Sequence, residues 1–191
     1  MISCVGVVGV QGDVPEHERA IRATFGDGVT VRTIRQAGII PDCDAIVIPG
    51  GESTTIGRLL RDTGIDEEIA DHATAEKPIL ATCAGLILCA TSVTDDRIAS
   101  LDLLDISVDR NAYGRQRESF EAPITVAGLD SAFPGVFIRA PRIVETGNVE
   151  VIARLGDEPV AVRNGAVVGA SFHPELTADS RFHEIVFGVH Q

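Results

Sequence analysis

The residues with the clearest chemical potential surround Cys83. Residues 79–86 read ILATCAGL, in which an apolar strand is followed by one cysteine and by small residues that open an apolar helix. This pattern predicts a strand–turn–helix elbow, which exposes a nucleophile on a tight turn. Amides at the start of the helix would favour a thiolate, and the amide of Ala84 is placed to stabilise an oxyanion. A free cysteine is more often a buried small hydrophobe, and that interpretation suits Cys4 and Cys89.

A cysteine nucleophile requires a base, and the base requires a group that fixes its tautomer. His173 follows an apolar strand, and Pro174 prevents that strand from continuing. Glu175 lies two residues after His173, so in an extended segment both side chains would point to the same side. We therefore predict a triad of Cys83, His173 and Glu175, although the pattern alone leaves open whether Cys83 and His173 meet. We interpret the remaining histidines as surface residues: His17, His72, His183 and His190.

A second loop with chemical potential occupies residues 48–55, which read IPGGESTT and connect a strand to a helix. Its glycines permit unusual backbone angles and the close approach of a ligand, and amides at a helix start attract negative charge. Taken alone, the loop could bind phosphate, but it lacks the lysine of a GxxxxGK[ST] loop. Beside a cysteine elbow, it is better interpreted as the second half of an oxyanion hole.

The elements that would position these groups alternate between strand and helix in the first half of the chain. Strands are predicted at 2–10, 28–34, 44–48 and 78–82, and helices at 15–25, 53–63 and 84–91. This alternation indicates a mainly parallel sheet covered by helices on both faces, with reactive groups at the carboxyl ends of the strands. Shorter strands are predicted in the second half, at 103–109, 122–127, 135–139, 148–154, 159–163 and 166–171, before a closing helix at 177–189.

Length and composition limit the possible functions. With 191 residues, 45% of them apolar, the chain predicts a single α/β domain over 1–191 with a sizeable core. A net charge of −12 argues against a nucleic-acid-binding protein, because such proteins need a basic face. We expect a cytoplasmic protein, since no apolar run is long enough to span a membrane and no basic leader precedes the first strand. Lys77 is the only lysine, which favours a salt-adapted surface over an ordinary acidic one.

Three motifs in fixed order, PGGES, TCAGL and SFHPE, resemble those of the class I (triad) glutamine amidotransferases. Further segments resemble the glutaminase subunit of pyridoxal 5′-phosphate synthase: GVQG at 9–12 with Glu16 and His17, RNAYGRQ at 110–116, and FIRAP at 137–141. Most class I domains have a glutamine four residues after the nucleophile, whereas this chain has Ile87, as in the vitamin B6 family. The resemblance runs from about residue 5 to residue 187 and implies the flavodoxin-like class I amidotransferase fold.

The resemblance implies a role for each matching residue. Cys83 would attack the side-chain amide of L-glutamine, His173 would move the protons, and Glu175 would orient His173. Gln11 would lie near the loop that senses docking of a partner. The glutamine site would include Gly51, Glu52, Ser53, Arg110, Ile138 and Arg139, with the oxyanion hole formed by Gly51 and Ala84. For the arginines the chemistry agrees, because the α-carboxylate of glutamine calls for a positively charged fork.

The resemblance also implies a protein partner. Ammonia would pass through a tunnel to a barrel-shaped synthase subunit in a large hetero-oligomer, which combines it with a pentose phosphate and a triose phosphate. Neither a cofactor nor a metal is implied. Three alternatives remain: a glutaminase for another pathway, a non-enzymatic relative, and a cysteine peptidase on the same scaffold. The RNAYGRQ and FIRAPRI segments and Ile87 disfavour a glutaminase for another pathway. The intact Cys83, His173 and Glu175 disfavour a non-enzymatic relative, and the arginines of the glutamine site disfavour a peptidase.

Overall fold

A computed structural model describes residues 1–110 and 119–189. Residues 111–116 of the RNAYGRQ motif and His190, which were singled out above, lie outside the described residues. The helices are α1 (Val14–Phe25), α2 (Ser53–Thr63), α3 (Ile65–Thr74), α4 (Ala84–Cys89) and α5 (Arg181–Phe187). The strands are β1 (Cys4–Val8), β2 (Thr30–Ile34), β3 (Ala45–Ile48), β4 (Ile79–Thr82), β5 (Ala90–Val93), β6 (Leu104–Asp109), β7 (Ser119–Val126), β8 (Phe133–Ile138), β9 (Arg142–Thr146), β10 (Glu150–Leu155), β11 (Glu158–Asn164) and β12 (Val167–Ala170).

Nine of the strands in the described residues form one mixed sheet, in the order β2-β1-β3-β4-β12-β11-β10-β7-β8. The first five run parallel to one another, and every neighbouring pair from β12 to β8 is antiparallel. All residues of β3, β4 and β12 are buried, as expected for parallel strands covered on both faces. The prediction of a mixed central sheet is therefore confirmed, with five strands in the parallel half and four in the antiparallel half.

Helices cover both faces of this sheet, as predicted. On one face, Ile21 of α1 and Phe182 of α5 pack in a core with alternate residues of β1, β3 and β4. On the other face, Ile56 of α2, Ile69 of α3 and the helix α4 pack against the opposite residues of the same strands. The alternation follows from strand geometry, since successive side chains of a strand point to opposite faces.

Several elements differ from the sequence-based expectations. Helix α3 was not predicted; Gly64, in the left-handed conformation (φ 71°, ψ 13°), ends α2 and lets the chain turn directly into α3. A separate three-stranded sheet, β5-β6-β9, contains two strands that were also not predicted. The last helix begins at Arg181 rather than 177, because Asp179 Oδ1 accepts from the Arg181 amide in a turn that precedes it.

No helix among residues 1–110 and 119–189 combines the length and apolar character needed to cross a membrane. The single domain over 1–191 stays a prediction.

Candidate active site

Three neighbouring parallel strands end at the same place. The pairing of Ile48 with Ala81 and of Thr82 with Ala170 aligns the carboxyl ends of β3, β4 and β12. The loop that begins at Pro49 follows β3, Cys83 follows β4, and His173 lies three residues after β12. In parallel sheets, loops at this edge form the ligand-binding crevice. The sheet thus brings together three segments that are distant in the sequence.

Cys83 occupies a strained turn between β4 and α4. Its φ of 49° and ψ of −101° are unusual for a residue with a side chain, a conformation that costs roughly 1–3 kcal/mol. The Cys83 amide donates to the carbonyl oxygen of Ala170 at 2.8 Å, which ties the elbow to β12. A Cβ at Gly85 would lie 2.2 Å from the carbonyl oxygen of Ile48, so only glycine lets α4 start this close to β3.

His173 and Glu175 form a buried pair. Nδ1 of His173 lies 2.7 Å from Oε1 of Glu175, and both side chains are almost inaccessible to solvent. We expected this segment to be extended, but it is not. Residues Pro174–Leu176 form a turn of 3₁₀ helix that brings the carboxylate back to the ring. The His173 amide also donates to the carbonyl oxygen of Val136 in β8 at 2.8 Å.

The His173 ring and the Cys83 side chain meet beside Gly50. A Cβ built on Gly50 would lie 2.7 Å from Cε1 of His173 and 3.5 Å from Cβ of Cys83, so glycine permits the loop to pass both. Burial alone would lower the pKa of His173, but the Cys83 sulfur and the Glu175 carboxylate raise it to about 10. Nε2 of His173 makes no hydrogen bond of ordinary geometry within the described residues. The thiol and ring are therefore neighbours that are not yet aligned for proton transfer.

The surface positions expected for three other histidines are wrong. His17, His72 and His183 are at most 3% exposed, and burial lowers the pKa of each, to about 4 for His72 and His183. His17 shares one face of α1 with Ile21 and Thr24, at a spacing of four and three residues. That spacing was visible in the sequence and would have placed His17 on the core side of α1.

His17 also reaches the predicted triad. Its Nε2 lies 3.4 Å from Oε1 of Glu175 and 3.3 Å from Oγ1 of Thr82. Burial would raise the pKa of Glu175, but the neighbouring His17 and His173 hold it below its usual value. The carboxylate is therefore charged at neutral pH although it lies in the core.

A cavity of about 370 Å³ opens in front of Cys83 and is large enough for an amino acid. Apart from Ala84, which follows the nucleophile directly, and Glu175, which lies behind His173, every predicted site residue lines it. Two further residues, Asp13 and Ile87, also face it. The lining consists of Gln11, Asp13, Gly51, Glu52, Ser53, Cys83, Ile87, Arg110, Ile138, Arg139 and His173.

Two of the predicted glutamine ligands are bound to each other. Nη2 of Arg110 donates to Oε1 of Glu52 at 2.6 Å, and its Nη1 donates to Asp95 and to Thr54. The carboxylate of Glu52 also caps α2 by accepting from the amides of Thr54 and Thr55. Hydrogen bonds, first that of the Thr55 hydroxyl, lower the pKa of Glu52 to about 2. These contacts fix the glycine loop against the end of β6.

Other predicted ligands remain uncommitted. Arg139 is exposed, has a φ of 43°, and makes no ion pair or hydrogen bond with any residue in 1–110 or 119–189. The hydroxyl of Ser53 is buried and makes no hydrogen bond in that part of the chain. Ile138, at the end of β8, presents Arg139 to the cavity. A guanidinium and a hydroxyl are thus available to a polar ligand.

Gln11 and Asp13 complete the mouth of the cavity. Oε1 of Gln11 accepts from the Glu52 amide at 3.0 Å, so Gln11 bridges the turn after β1 to the glycine loop. Asp13, which the sequence analysis did not single out, offers a carboxylate oxygen within 4.8 Å of ligand atoms of His173 and Glu175. That spacing could hold a metal ion, but the 2.7 Å contact between His173 and Glu175 accounts for their closeness without one.

Comparison with known proteins places this chain in a known family. The model of the SNO glutamine amidotransferase family matches residues 7–189. The chain is 59% identical over 186 residues to the pyridoxal 5′-phosphate synthase subunit PdxT of Natronomonas pharaonis, covering 95% of this chain and 97% of that one. The PdxT subunit of Methanothrix thermoacetophila is 55% identical over 183 residues, covering 95% and 97%.

Solved structures agree with the fold. A crystal structure of a glutamine amidotransferase superposes with a TM-score of 0.89 at 43% identity, over 97% of this chain and 99% of the other. The PurLQS structure of Thermotoga maritima superposes with a TM-score of 0.70 at 19% identity, over 100% of both chains, and shows likeness of fold alone. The predicted amidotransferase fold is therefore confirmed.

Proposed function

The chain belongs to the SNO glutamine amidotransferase family, and from this premise we propose that it hydrolyses L-glutamine to L-glutamate and ammonia at Cys83. The observation that carries the proposal is the meeting of Cys83, His173 and the loop at Gly51 around one cavity of about 370 Å³. Glu175, bonded to the far side of the His173 ring, completes the arrangement of a triad.

The proposed reaction proceeds through a thioester. The Cys83 sulfur attacks the side-chain carbonyl carbon of glutamine, and the resulting oxyanion is stabilised by amides at Gly51 and Ala84. His173 takes the thiol proton of Cys83, holds it because its pKa is raised to about 10, and gives it to the leaving nitrogen as the carbon–nitrogen bond breaks. After ammonia departs, a water molecule loses a proton to His173 and attacks the thioester, which releases glutamate and restores Cys83.

The contacts of the cavity divide the proposed glutamine-binding roles. Arg139 makes no ion pair with residues 1–110 or 119–189 and suits the α-carboxylate, while the hydroxyl of Ser53 suits the polar end of the substrate. Arg110 is held by Glu52, so its main proposed role is to keep the loop from Gly51 to Ser53 in place. This role is narrower than the direct glutamine contact that the resemblance implied.

A barrel-shaped pyridoxal 5′-phosphate synthase subunit is the proposed recipient of the ammonia, in a large hetero-oligomer. The relatives named above are subunits of pyridoxal 5′-phosphate synthase, and their sequences cover nearly the whole chain. Docking would improve the alignment of the triad, because the Cys83 sulfur acts on the His173 ring in the isolated chain while Nε2 makes no hydrogen bond of ordinary geometry. Gln11, which holds the amide of Glu52, is placed to transmit the change. The reaction requires neither a cofactor nor a metal.

The acidic composition fits a protein that works at high salt in the cytoplasm. A net charge of −12 with one lysine would produce strong self-repulsion, which salt screens. Relatives at 56% to 59% identity come from Halorubrum lacusprofundi and Natronomonas pharaonis. We therefore propose that the surface is adapted to salt.

The test is glutamate release from L-glutamine in molar potassium chloride, with and without the cognate synthase subunit. We expect slow release from the isolated chain and a rate at least about 10-fold higher with the partner, since alignment of catalytic groups is worth this much or more. If glutamate is not released with the partner bound, the proposed function is wrong, and a non-enzymatic role remains.

A further inference from the structure

His17 contacts two parts of the catalytic region from the opposite side to the substrate cavity. Its ring is fully buried on α1, and its Nε2 lies 3.4 Å from Oε1 of Glu175. The same nitrogen lies 3.3 Å from the hydroxyl of Thr82, the residue that precedes the nucleophile. The ring therefore lies between the end of β4 and the carboxylate of Glu175.

The chemistry of these neighbours decides where the proton of His17 lies. A carboxylate only accepts hydrogen bonds, so a bare ring nitrogen facing Oε1 would set two lone pairs against each other. Burial lowers the pKa of His17, which keeps the ring neutral with a single proton. We therefore assign that proton to Nε2, where Oγ1 of Thr82 is its hydrogen-bond partner at 3.3 Å and Oε1 of Glu175 lies 3.4 Å away.

We propose that His17 is a positioning residue of the triad: its Nε2–H restrains the Glu175 carboxylate and so fixes the orientation of the His173 ring. The inference rests on the proposed function and assigns to it a fourth residue, which acts through Glu175 and does not touch the substrate. Oε1 of Glu175 would accept from the His173 ring at 2.7 Å and face Nε2–H of His17 at 3.4 Å as an electrostatic contact. Without His17, the bond to the His173 ring and the backbone hydrogen bond at Glu175 itself would be left to hold the buried charge in position.

Titration gives the inference a distinct signature. The charged and titratable groups that act on His17 come from α1, from the loop before it, from the turn at Glu175 and from α5: Asp13, Glu16, His173, Glu175 and His183. The pKa of Glu175 stays below its usual value in the core because His17, through the N–H that faces Oε1, and His173 offset its burial. Removing His17 should therefore raise the pKa of Glu175, and the acidic limb of the activity profile should move to higher pH.

Two variants and a control separate positioning from packing. His17→Leu removes the donor, whereas His17→Gln places an amide N–H near the position of Nε2. His72→Leu is the matched control, because His72 is equally buried but lies on α3, on the opposite face of the sheet. Each variant is assayed as the complex with the synthase subunit, and glutamate release is followed from pH 5 to pH 10.

For His17→Leu we expect kcat to fall on the order of 10-fold to 100-fold, with KM within about 2-fold and the acidic limb about one pH unit higher. His17→Gln should recover most of kcat and the original limb, and His72→Leu should match the wild type. The inference is overturned if the limb of His17→Leu does not move, or if leucine and glutamine are equally impaired.

A readout that does not depend on activity separates this inference from the proposed function. The ¹⁵N shifts of the His173 ring, assigned with His173→Asn, report its protonation in the free chain when the pH is taken beyond 10, the approximate pKa of the ring. A changed titration of His173 in His17→Leu, with none in His72→Leu, supports the inference even if wild type releases no glutamate. Identical titrations in all three proteins refute it even if wild type is fully active.

Discussion

The two halves of the central sheet contribute differently to the site. The parallel half, from β2 to β12, supplies Cys83, His173, Glu175 and the glycine loop from the ends of its strands. The antiparallel half, from β11 to β8, supplies Ile138 and Arg139 from the end of its last strand. Groups proposed to make and break bonds thus come from one half, and groups proposed to recognise the substrate's α-carboxylate come from the other.

The two halves meet at His173, in the segment that follows β12. Although β8 is four strands away from β12 in the sheet order, the carbonyl oxygen of Val136 accepts from the His173 amide at 2.8 Å. Phe137 packs against Phe172, with ring centroids 6.0 Å apart, which supports the same contact. The edge of the antiparallel half therefore holds the base of the parallel half. The comparison predicts that changes in the parallel half lower kcat and that changes in the antiparallel half raise KM.

The largest effect is expected at the elbow of the parallel half. Cys83→Ala removes the nucleophile and should lower glutamate release by the partner complex by at least about 10³-fold. Cys83→Gly should lose as much activity but raise Tm by a few degrees relative to Cys83→Ala, since glycine relieves the strain of a φ of 49°. Calorimetry and a glutamate assay check both statements. Equal Tm values would show that the elbow is not strained. If Cys83→Ala remained active, the assignment of the chemical step to the parallel half would be wrong.

A smaller loss is expected where the glycine loop passes the triad. In Gly50→Ala, the new methyl group would lie 2.7 Å from Cε1 of His173, and the ring must move away from Cys83. We expect kcat to fall about 10²-fold, with KM changed less, because a shift of this size disrupts a reacting geometry.

Gly28→Ala provides the control, since a Cβ at Gly28 would meet nothing within 4 Å. It should leave both kcat and KM unchanged. If Gly50→Ala instead raised KM alone, the assignment of this loop to the chemical step would be wrong.

The contrast between the halves also explains what could be predicted from the sequence. The parallel half was readable because each strand is a short, continuous apolar run followed directly by its functional segment, as in ILAT before Cys83. The parallel direction of its strands follows from the alternation of strand and helix. In the antiparallel half, β7 alternates between exposed and buried residues, and its partners β10 and β8 could not be chosen from local pattern.

Tertiary contacts account for what was missed in the site. Gly64 changes the chain direction, so the start of α3 could not be recognised from the sequence. The burial of His17 depends on the packing of α1 beside Glu175. The engagement of Arg110 by Glu52, 58 positions away, could not be inferred, since a charged residue of the motif looks equally free for substrate. The motifs identified which residues gather at the site, but only the fold shows which of them are already bound to each other.

In the antiparallel half, the test is Arg139→Ala. The guanidinium makes no ion pair in the described part of the chain, so its loss should disturb the fold little. We expect KM for L-glutamine to rise about 10-fold to 100-fold with kcat within about 3-fold, as for a contact made equally in the ground and transition states. Arg139→Lys should lie between alanine and wild type, because lysine keeps the charge but loses the fork. A fall in kcat at constant KM would break the division between the halves.

The smallest effect is expected in the pH dependence of Tm, and it comes from the protonation of His173 after β12. The Cys83 sulfur and the Glu175 carboxylate outweigh burial and raise the pKa of His173 to about 10, above its usual 6.5. A pKa raised on folding adds stability that is complete below pH 6.5 and is lost as the pH rises through 10. From pH 7 to pH 10, Tm of wild type should therefore fall more than Tm of His173→Gln. His72→Gln is the control: burial lowers the pKa of His72 to about 4, so its contribution is constant over this range and its curve should parallel the wild type. Parallel curves for His173→Gln and wild type would show that the pKa of His173 is not raised on folding. His173 would then not hold the proton that its general-acid role requires.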